Sequence, residues 1–412
     1  MSLLSEEFRK IVMKDKDLRM SVEAKCDVGY SSGFLPFDFL NGYMIHVNNN
    51  EKNIHQKYYC IGITDGSFNS IIGKTGCGKS TFALQTAANI VRPFKTSCIF
   101  EDSIEGGMNW TRREVLSGFS EEELKQRFIV RNTGVNAENF YKRIKMIHDI
   151  KIKDKDKYLY DTGNLDNFGN PLWAFEPTVY ILDSVAMLYP ENMAEEDELQ
   201  GSMAVSGSVK VVSQMVSAII PMLKAANIIV FAINHIKDDI QTGPFVKKPD
   251  VQYLKVGERL PKGKAVTYLS NNIIRLDTGV KLKPEEKFHI SGSIVDVSTV
   301  KSRSSAANKS VSLVFNQYTG FDPILSMFIY LQNNGRVNGA GVGLYLDDYK
   351  DYKFSMGNLL QKMENPEFAE IFNKVAFDQL SKSMVDPYEN SKKDFNRQST
   401  NSILNMLKPI NY

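Results

Sequence analysis

Gly73-Lys74-Thr75-Gly76-Cys77-Gly78-Lys79-Ser80 lies between an apolar run, Phe68-Asn69-Ser70-Ile71-Ile72, and a segment free of Gly and Pro, Thr81 to Val91. The run reads as a short buried strand and the segment as an amphipathic helix, so the octapeptide joins strand to helix. Glycines at this spacing let successive backbone N–H groups turn inward around a phosphate. The helix that opens after them adds the partial positive charge of its N-terminus. Lys79 is placed to reach the β and γ phosphates, and Ser80 to offer a hydroxyl to Mg2+. Residues 73–81 therefore predict a site for a nucleoside triphosphate, with Ser80 also a metal ligand.

The chain has 412 residues, more than one ordinary domain, with a net charge of +2 and the charged and apolar fractions of a globular protein. That balance excludes a uniformly basic nucleic-acid coat but not a local basic patch. Its four cysteines (Cys26, Cys60, Cys77 and Cys98) show neither C-x-x-C pairing nor metal-ligand spacing, and one sits inside the phosphate loop. A disulfide framework does not fit; a reducing compartment does. The first residues lack the pattern of a secretory signal, and no apolar run approaches the length of a membrane span. The expectation is an intracellular, cytoplasmic protein with no membrane partner.

From Gly66 to about Phe321, short β-branched runs alternate with helical patterns, which predicts an α/β fold: a mainly parallel sheet with helices on both faces. The expected strands are Ser97 to Phe100, Val179 to Leu182, Ile228 to Ile233, Asn272 to Leu276 and Ile294 to Val300. Val209, Val212, Val216, Ile219 and Leu223 recur by threes and fours, one buried stripe on a long helix that Pro221 should kink. Lys151 to Lys157 and the Gly/Asn-rich stretch to Pro171 read as a solvated insertion, and Asp238 to Lys264 as a long functional loop. The boundaries follow: an N-terminal segment, 1–65, with a helix near Ser5 to Lys14; an ATPase-type core, 66–322; a small α+β C-terminal domain, 323–385; and a tail, 386–412. Asn365-Pro366-Glu367 signals the start of a C-terminal helix.

Several residues around the loop suggest chemistry. Val179-Tyr180-Ile181-Leu182-Asp183 is an apolar strand ending in a carboxylate. In enzymes with such loops, the strand beside the loop ends in an Asp that holds Mg2+, so Asp183 is a candidate for metal binding and catalysis. Hydrolysis also needs a group to orient or deprotonate water. Glu101, Asp102 and Glu105 follow another strand expected to lie next to the loop strand, and Glu101 is the first choice. Asn234-His235 closes an apolar strand, where His235 could sense the γ-phosphate. Lys301-Ser302-Arg303 offers two cations able to neutralise a transferring phosphoryl group, in cis or from a neighbouring subunit.

Leu182-Asp183-Ser184-Val185-Ala186-Met187-Leu188-Tyr189-Pro190 resembles the Asp-Ser-Val-Ala-x-Leu-x-Pro segment of bacterial RecA. Ser213-Gln214, Ile233-Asn234-His235-Ile236 and Val300-Lys301-Ser302-Arg303 are similar to that family in order and spacing. The Asn-His pair and the Lys-Ser-Arg triplet look closest to the phage UvsX-like recombinases. Tyr30-Ser31-Ser32-Gly33 through Asp38 resembles the entry to the same core. The resemblance covers most of the chain, weakens near Lys151 and is absent in the tail.

It implies a RecA-like core and a DNA-dependent ATPase, using ATP and Mg2+, in the host cytoplasm if phage-encoded. Such a protein forms a homo-oligomeric helical filament on single-stranded DNA and exchanges strands with double-stranded DNA. Two loops would grip DNA: one at about Glu195 to Gly207, followed by Lys210, and one from Lys237 to Lys264. The second carries Lys247, Lys248, Lys255, Arg259, Lys262 and Lys264, with Phe245 and Tyr253 among them. Lys301 and Arg303 would then complete the neighbouring subunit's ATP site. The chain departs from the pattern at Ile104, which an ungapped match puts where the family has its catalytic Glu. Its first loop is acidic, and its tail is mixed in charge rather than acidic. Trp110 lies near the expected adenine pocket, as a stacking or a core residue. Two other readings share the core: a hexameric replicative-type helicase and a regulatory ATPase that binds proteins.

Overall fold

The computed structural model describes residues 27–49, 52–104, 108–166, 169–190, 202–239, 251–261, 263–285 and 288–384, without the side chains of 187, 202–210 and 263–265. The first expected helix, the tail, the acidic loop, Glu105, Phe245, Lys247, Lys248 and Lys262 lie outside the described residues. So do the side chains of Val209, Lys210 and Lys264.

The described chain enters through β1 (Gly29–Tyr30), α1 (Leu35–Asn41), the hairpin β2 (Tyr43–Asn49) and β3 (Ile54–Cys60), and β4 (Ile63–Thr64). The next strand, β5 (Phe68–Gly73), is buried along its whole length and leads through Lys74–Gly78 into α2 (Lys79–Val91). After it come β6 (Ile99–Ser103), α3 (Trp110–Ser117), α4 (Glu121–Arg127), β7 (Phe128–Arg131), α5 (Ala137–Lys153) and a helical turn α6 (Lys155–Tyr158). A second hairpin, β8 (Leu159–Leu165) and β9 (Pro171–Phe175), precedes β10 (Thr178–Asp183), α7 (Ser202–Ala226) and β11 (Ile228–His235). Next are β12 (Lys237–Asp238), β13 (Glu258–Arg259), α8 (Gly263–Leu269), β14 (Asn272–Leu282), β15 (Gly292–Ser302), β16 (Lys309–Asn316) and β17 (Gly320–Asp322). The last elements are α9 (Pro323–Asn333), a small ladder of β18 (Val337–Asn338) and β19 (Tyr345–Leu346), α10 (Leu359–Lys362) and α11 (Pro366–Ser383).

Nine strands form one sheet in the order β17-β16-β15-β14-β5-β11-β10-β6-β7. From β14 to β7 every neighbouring pair is parallel, and β15, β16 and β17 extend it antiparallel. The fold is therefore α/β with a mainly parallel sheet. Successive strand residues point to opposite faces, so the β-branched runs feed two cores. Ile99, Val179, Ile181, Phe231 and Ile233 pack with Phe82, Ala83 and Ala87 of α2 on one face. Tyr180, Leu182, Val230 and Ala232 pack with Ile144 of α5 and Val212, Val216, Ile219 and Leu223 of α7 on the other. Phe328, Phe354, Phe368, Phe372 and Val375 of the C-terminal segment belong to the first, continuous cluster. Asn365 caps α11 as expected, its side chain accepting from Glu367 N and Phe368 N.

Helix α7 carries Pro221 inside it and runs on to Ala226. The structure corrects other expectations. The strand expected at Ser97 to Phe100 instead spans Ile99–Ser103, running through two carboxylates. It can do so because both are paired: Glu101 with Arg113, and Asp102 with Arg143 and the Tyr180 hydroxyl. The stretch from Lys151 to Pro171 lies outside the main sheet and residues 152–157 are exposed, as expected, but its described part is built of regular elements: it closes α5, forms α6 and β8 and enters β9. The Lys151 ammonium is buried and donates to the carbonyls of Glu176 and Ala226, both at 2.7 Å, and to Thr178 Oγ1 at 3.1 Å. It thereby satisfies the end of α7, whose last carbonyls have no partner inside the helix.

Burial pulls the Lys151 ammonium down to about 7, whereas in the unfolded chain it keeps an ordinary lysine value near 10.4. Between those values the unfolded state binds more protons, so this group makes stability rise with pH. Lys151→Met is expected to lower stability by about 2 kcal/mol, because it orphans buried carbonyls. Its deficit against wild type should widen from pH 7 to pH 9.5 in urea unfolding. An equal deficit at both pH values would contradict this assignment.

Candidate active site

The turn after β5 takes its shape from its glycines. Gly78 has φ +88°, and the Phe321 ring lies 3.0 Å from where a Cβ would sit, so no other residue fits there. Gly76 has φ +81° with open space around it. The buried Lys79 ammonium folds over the turn, donating to the Lys74 carbonyl at 2.8 Å and lying 3.9 Å from Cys77 Sγ. Burial pushes the Cys77 thiol up, so it stays protonated; Cys60, Cys77 and Cys98 are all free thiols. Ser80 Oγ, in the first turn of α2, donates to Asp183 Oδ2 at 2.6 Å. Residues 103 apart in sequence thus meet at the mouth of the turn, a hydroxyl beside a carboxylate. These hard oxygen donors could hold Mg2+.

Asp183 does not stand on the strand beside β5. Strand β11 intervenes between β5 and β10, and β6, which carries Glu101, is one strand further still. At about 4.8 Å per strand, β6 lies about 14 Å from β5. Both carboxylates nevertheless share a sheet face: Asp183 is level with Ser103, two residues beyond Glu101. That is the face covered by α2. Asp102 points to the opposite face, where Arg143 Nη1 donates to both its oxygens at 2.5 Å. Its position removes it from the shortlist of bases. Glu101 is itself held in a buried fork: Arg113 Nε donates to Oε2 at 2.9 Å and Nη2 to Oε1 at 2.8 Å. No spacing in the sequence announced Arg113.

His235 lies level with Gly73 at the end of β11, half-buried. Next to it, Asn234 Nδ2 donates to the Pro261 carbonyl at 2.9 Å. The segment expected to be one long loop is therefore tied down at both ends. Strands β12 and β13 pair antiparallel, and α8 begins at Gly263. Arg275, on β14, is buried and clamps the base of this hairpin. It donates twice to Glu258, at 2.8 Å each, to the Tyr253 carbonyl at 2.9 Å and to both oxygens of Asp277. Lys74 Nζ reaches Asp238 at 2.7 Å, linking the turn after β5 to the same hairpin. Lys255 is exposed and paired with Asp277 at 3.2 Å. Arg259 is exposed on β13, and its cross-strand partner is Lys237. Lys237 opens the hairpin and was not among the DNA-contact candidates, because only strand register brings it opposite Arg259.

Lys301 and Arg303 fall far from Gly73–Ser80. Lys301 is level with Ile273 of β14, and Arg303 N bonds the Asn271 carbonyl, whereas Gly73 is level with Leu276. Along a strand those offsets are about 10 and 16 Å, with two further strands to cross. Lys301 Nζ donates to the Thr267 and Tyr268 carbonyls at 3.0 and 2.6 Å, and Arg303 Nη2 to that of Tyr268 at 3.1 Å. Burial, then the neighbouring Arg303 charge, holds Lys301 below the ordinary lysine value. Both cations sit at the end of α8, where carbonyls lack helical partners. Trp110 is 51 % exposed, so it is not a core residue.

No protein-family model matches the chain, and no curated protein matches it in sequence. Among the described residues, no helix is long and apolar enough to cross a membrane.

Proposed function

We propose that this chain is a DNA-dependent ATPase of the RecA-like recombinase type, which polymerises on single-stranded DNA and pairs it with a homologous duplex. The observation that carries the reading is the separation of the two cations from the turn they would serve. Lys301 and Arg303 stand toward the opposite end of the strands from Gly73–Ser80, and in this reading they serve the corresponding turn of another copy. A site split this way works only in an assembly.

A second observation supports a nucleic-acid partner. Lys237 and Arg259 face each other across the β12–β13 ladder, and like charges directly opposite destabilise a hairpin unless an anion lies between them. A phosphate backbone supplies such an anion. In this reading Lys79 and the inward N–H groups hold the β and γ phosphates of ATP. Ser80 and Asp183 would hold Mg2+, which would supply charge to offset that of the phosphates. His235, level with Gly73, relays the state of the nucleotide through Asn234 to Pro261 and the hairpin.

The test is electron microscopy with a non-hydrolysable ATP analogue, with and without single-stranded DNA. Helical filaments that need both are expected. Closed six-membered rings would favour the hexameric helicase, for which Glu101 is also placed; isolated protomers under every condition would remove the reading. A kinetic expectation accompanies it. Glu101→Gln should keep ATP binding and cut turnover by about 100-fold or more, the scale of a lost general base, while Glu105→Gln does much less. The reverse ranking would assign the base to Glu105.

A further inference from the structure

A general base must present a lone pair to water, and in Glu101 the fork takes one on each oxygen while burial shuts water away from the rest. Both of its oxygens lie in the Arg113 fork, with side-chain exposures of 7 % and 4 % for the two partners. The bidentate arrangement fixes orientation as well as charge. Arg113 is held in turn: its Nη1 donates to the Met108 carbonyl, and its guanidinium carbon lies 5.6 Å from the centre of the Trp110 ring. Trp110 opens α3 behind the Asn109 cap, which accepts from Arg112 N at 2.8 Å. Arg112 reaches across to the Tyr318 carbonyl in the turn between β16 and β17. The fork thus reaches from a buried carboxylate to a half-exposed helix start.

We infer that Arg113 is a positioning residue that keeps Glu101 from water in the DNA-free chain, and that assembly on DNA frees the carboxylate by moving the first turn of α3. The inference rests on the ATPase reading above. Once freed, Glu101 takes a proton from water as the water oxygen bonds to the γ-phosphorus. The bond from that phosphorus to the β–γ bridging oxygen breaks, leaving ADP and inorganic phosphate, and the proton then passes from Glu101 to phosphate or solvent. An Arg in this position explains why DNA is needed without requiring any part of Glu101's strand to refold.

The experiment measures ATP turnover with and without single-stranded DNA for wild type, Arg113→Gln, Arg113→Lys and Arg113→Gln with Glu101→Gln. Glutamine keeps one donor and loses the charge. Arg113→Gln should raise DNA-free turnover about tenfold, a fraction of what a positioned base contributes, with KM for ATP unchanged. Arg113→Lys should fall between it and wild type, and adding Glu101→Gln should erase the gain. A purely structural role would instead lower both rates together. A second readout is Trp110 emission in a Trp173→Phe background, since the chain has only these two tryptophans. It should change when the ATP analogue and DNA are added together to the wild-type fork, and not in Arg113→Gln. Turnover that DNA stimulates while Trp110 emission stays fixed would overturn the lock. So would an Arg113→Gln protein with wild-type thermal stability and no gain in DNA-free turnover. A gain in that variant, in a protein whose wild type ignores DNA, would keep the lock and overturn the DNA reading.

Discussion

Lys79→Ala is expected to abolish ATP turnover while leaving the fold intact. Lys79 is 4 % exposed, and its ammonium lies over the turn between the Lys74 carbonyl and Cys77. Its contribution to the fold is small, because alanine suits the first turn of a helix and the Lys74 carbonyl can turn to water. Its contribution to chemistry is large. A triphosphate brings several negative charges to a turn whose other donors are backbone N–H groups with partial charges only, and Lys79 supplies a full charge in a site with little water. Removing such a group typically costs 10²- to 10³-fold or more in rate, on the order of 3–4 kcal/mol. The measurement is steady-state turnover in saturating ATP and DNA, beside a thermal melt. Turnover within tenfold of wild type, in a protein with an unchanged melt, would mean that Gly73–Ser80 is not where the triphosphate reacts.

That turn was legible because its chemistry is local: glycines, a lysine and a serine at fixed offsets dictate a shape that the rest of the chain need only tolerate. The sheet was legible for a related reason. A strand buried on both faces is apolar except where a polar side chain finds a partner: the runs at Val179 and Ile228 are apolar, and the run at Asn272 carries only Asn272 and Arg275, both hydrogen-bonded. What the sequence concealed depends on partners far apart in the chain. Glu101-Asp102 reads as the exposed end of a strand, yet both residues continue β6, because Arg113 and Arg143 neutralise them from opposite faces. Lys151 reads as the start of a solvated lysine run, yet it is buried against the end of α7, 75 residues away. Strand order is equally non-local. Nothing near Asp183 says that β11 slides between its strand and β5, and hence that Ser80 must reach across two strand positions to meet it. The hairpin at the base of the second loop depends on Arg275, whose Glu258 partner lies across a segment too polar to suggest a strand.

Arg303→Ala is expected to leave nucleotide binding by the isolated protomer within about twofold of wild type while cutting DNA-stimulated turnover by 10³-fold or more, the range reported for a cation supplied in trans to a phosphoryl transfer. The geometry gives this asymmetry. Arg303 lies about 16 Å along the strands from the level of Gly73, more than an arginine side chain spans, so it does not reach the turn of its own chain. Its one side-chain partner given by the structure is the Tyr268 carbonyl, which water can replace. A decisive form of the experiment mixes two inactive proteins. Lys79→Ala chains keep Arg303 but not a working turn, and Arg303→Ala chains keep the turn but not the cation. With random co-assembly, an interface is complete when an intact turn meets a neighbour with an intact Arg303, which happens at about a quarter of the interfaces in an equimolar mixture. Turnover should therefore recover to about a quarter of the wild-type rate on DNA, from two proteins that are each silent. Dilution below the assembly concentration should remove it again. A mixture as silent as its parts, although both chains enter the same oligomer, would show that Arg303 does not act across a seam between copies. An Arg303→Ala protein that hydrolysed ATP normally on DNA would show that no such cation is needed.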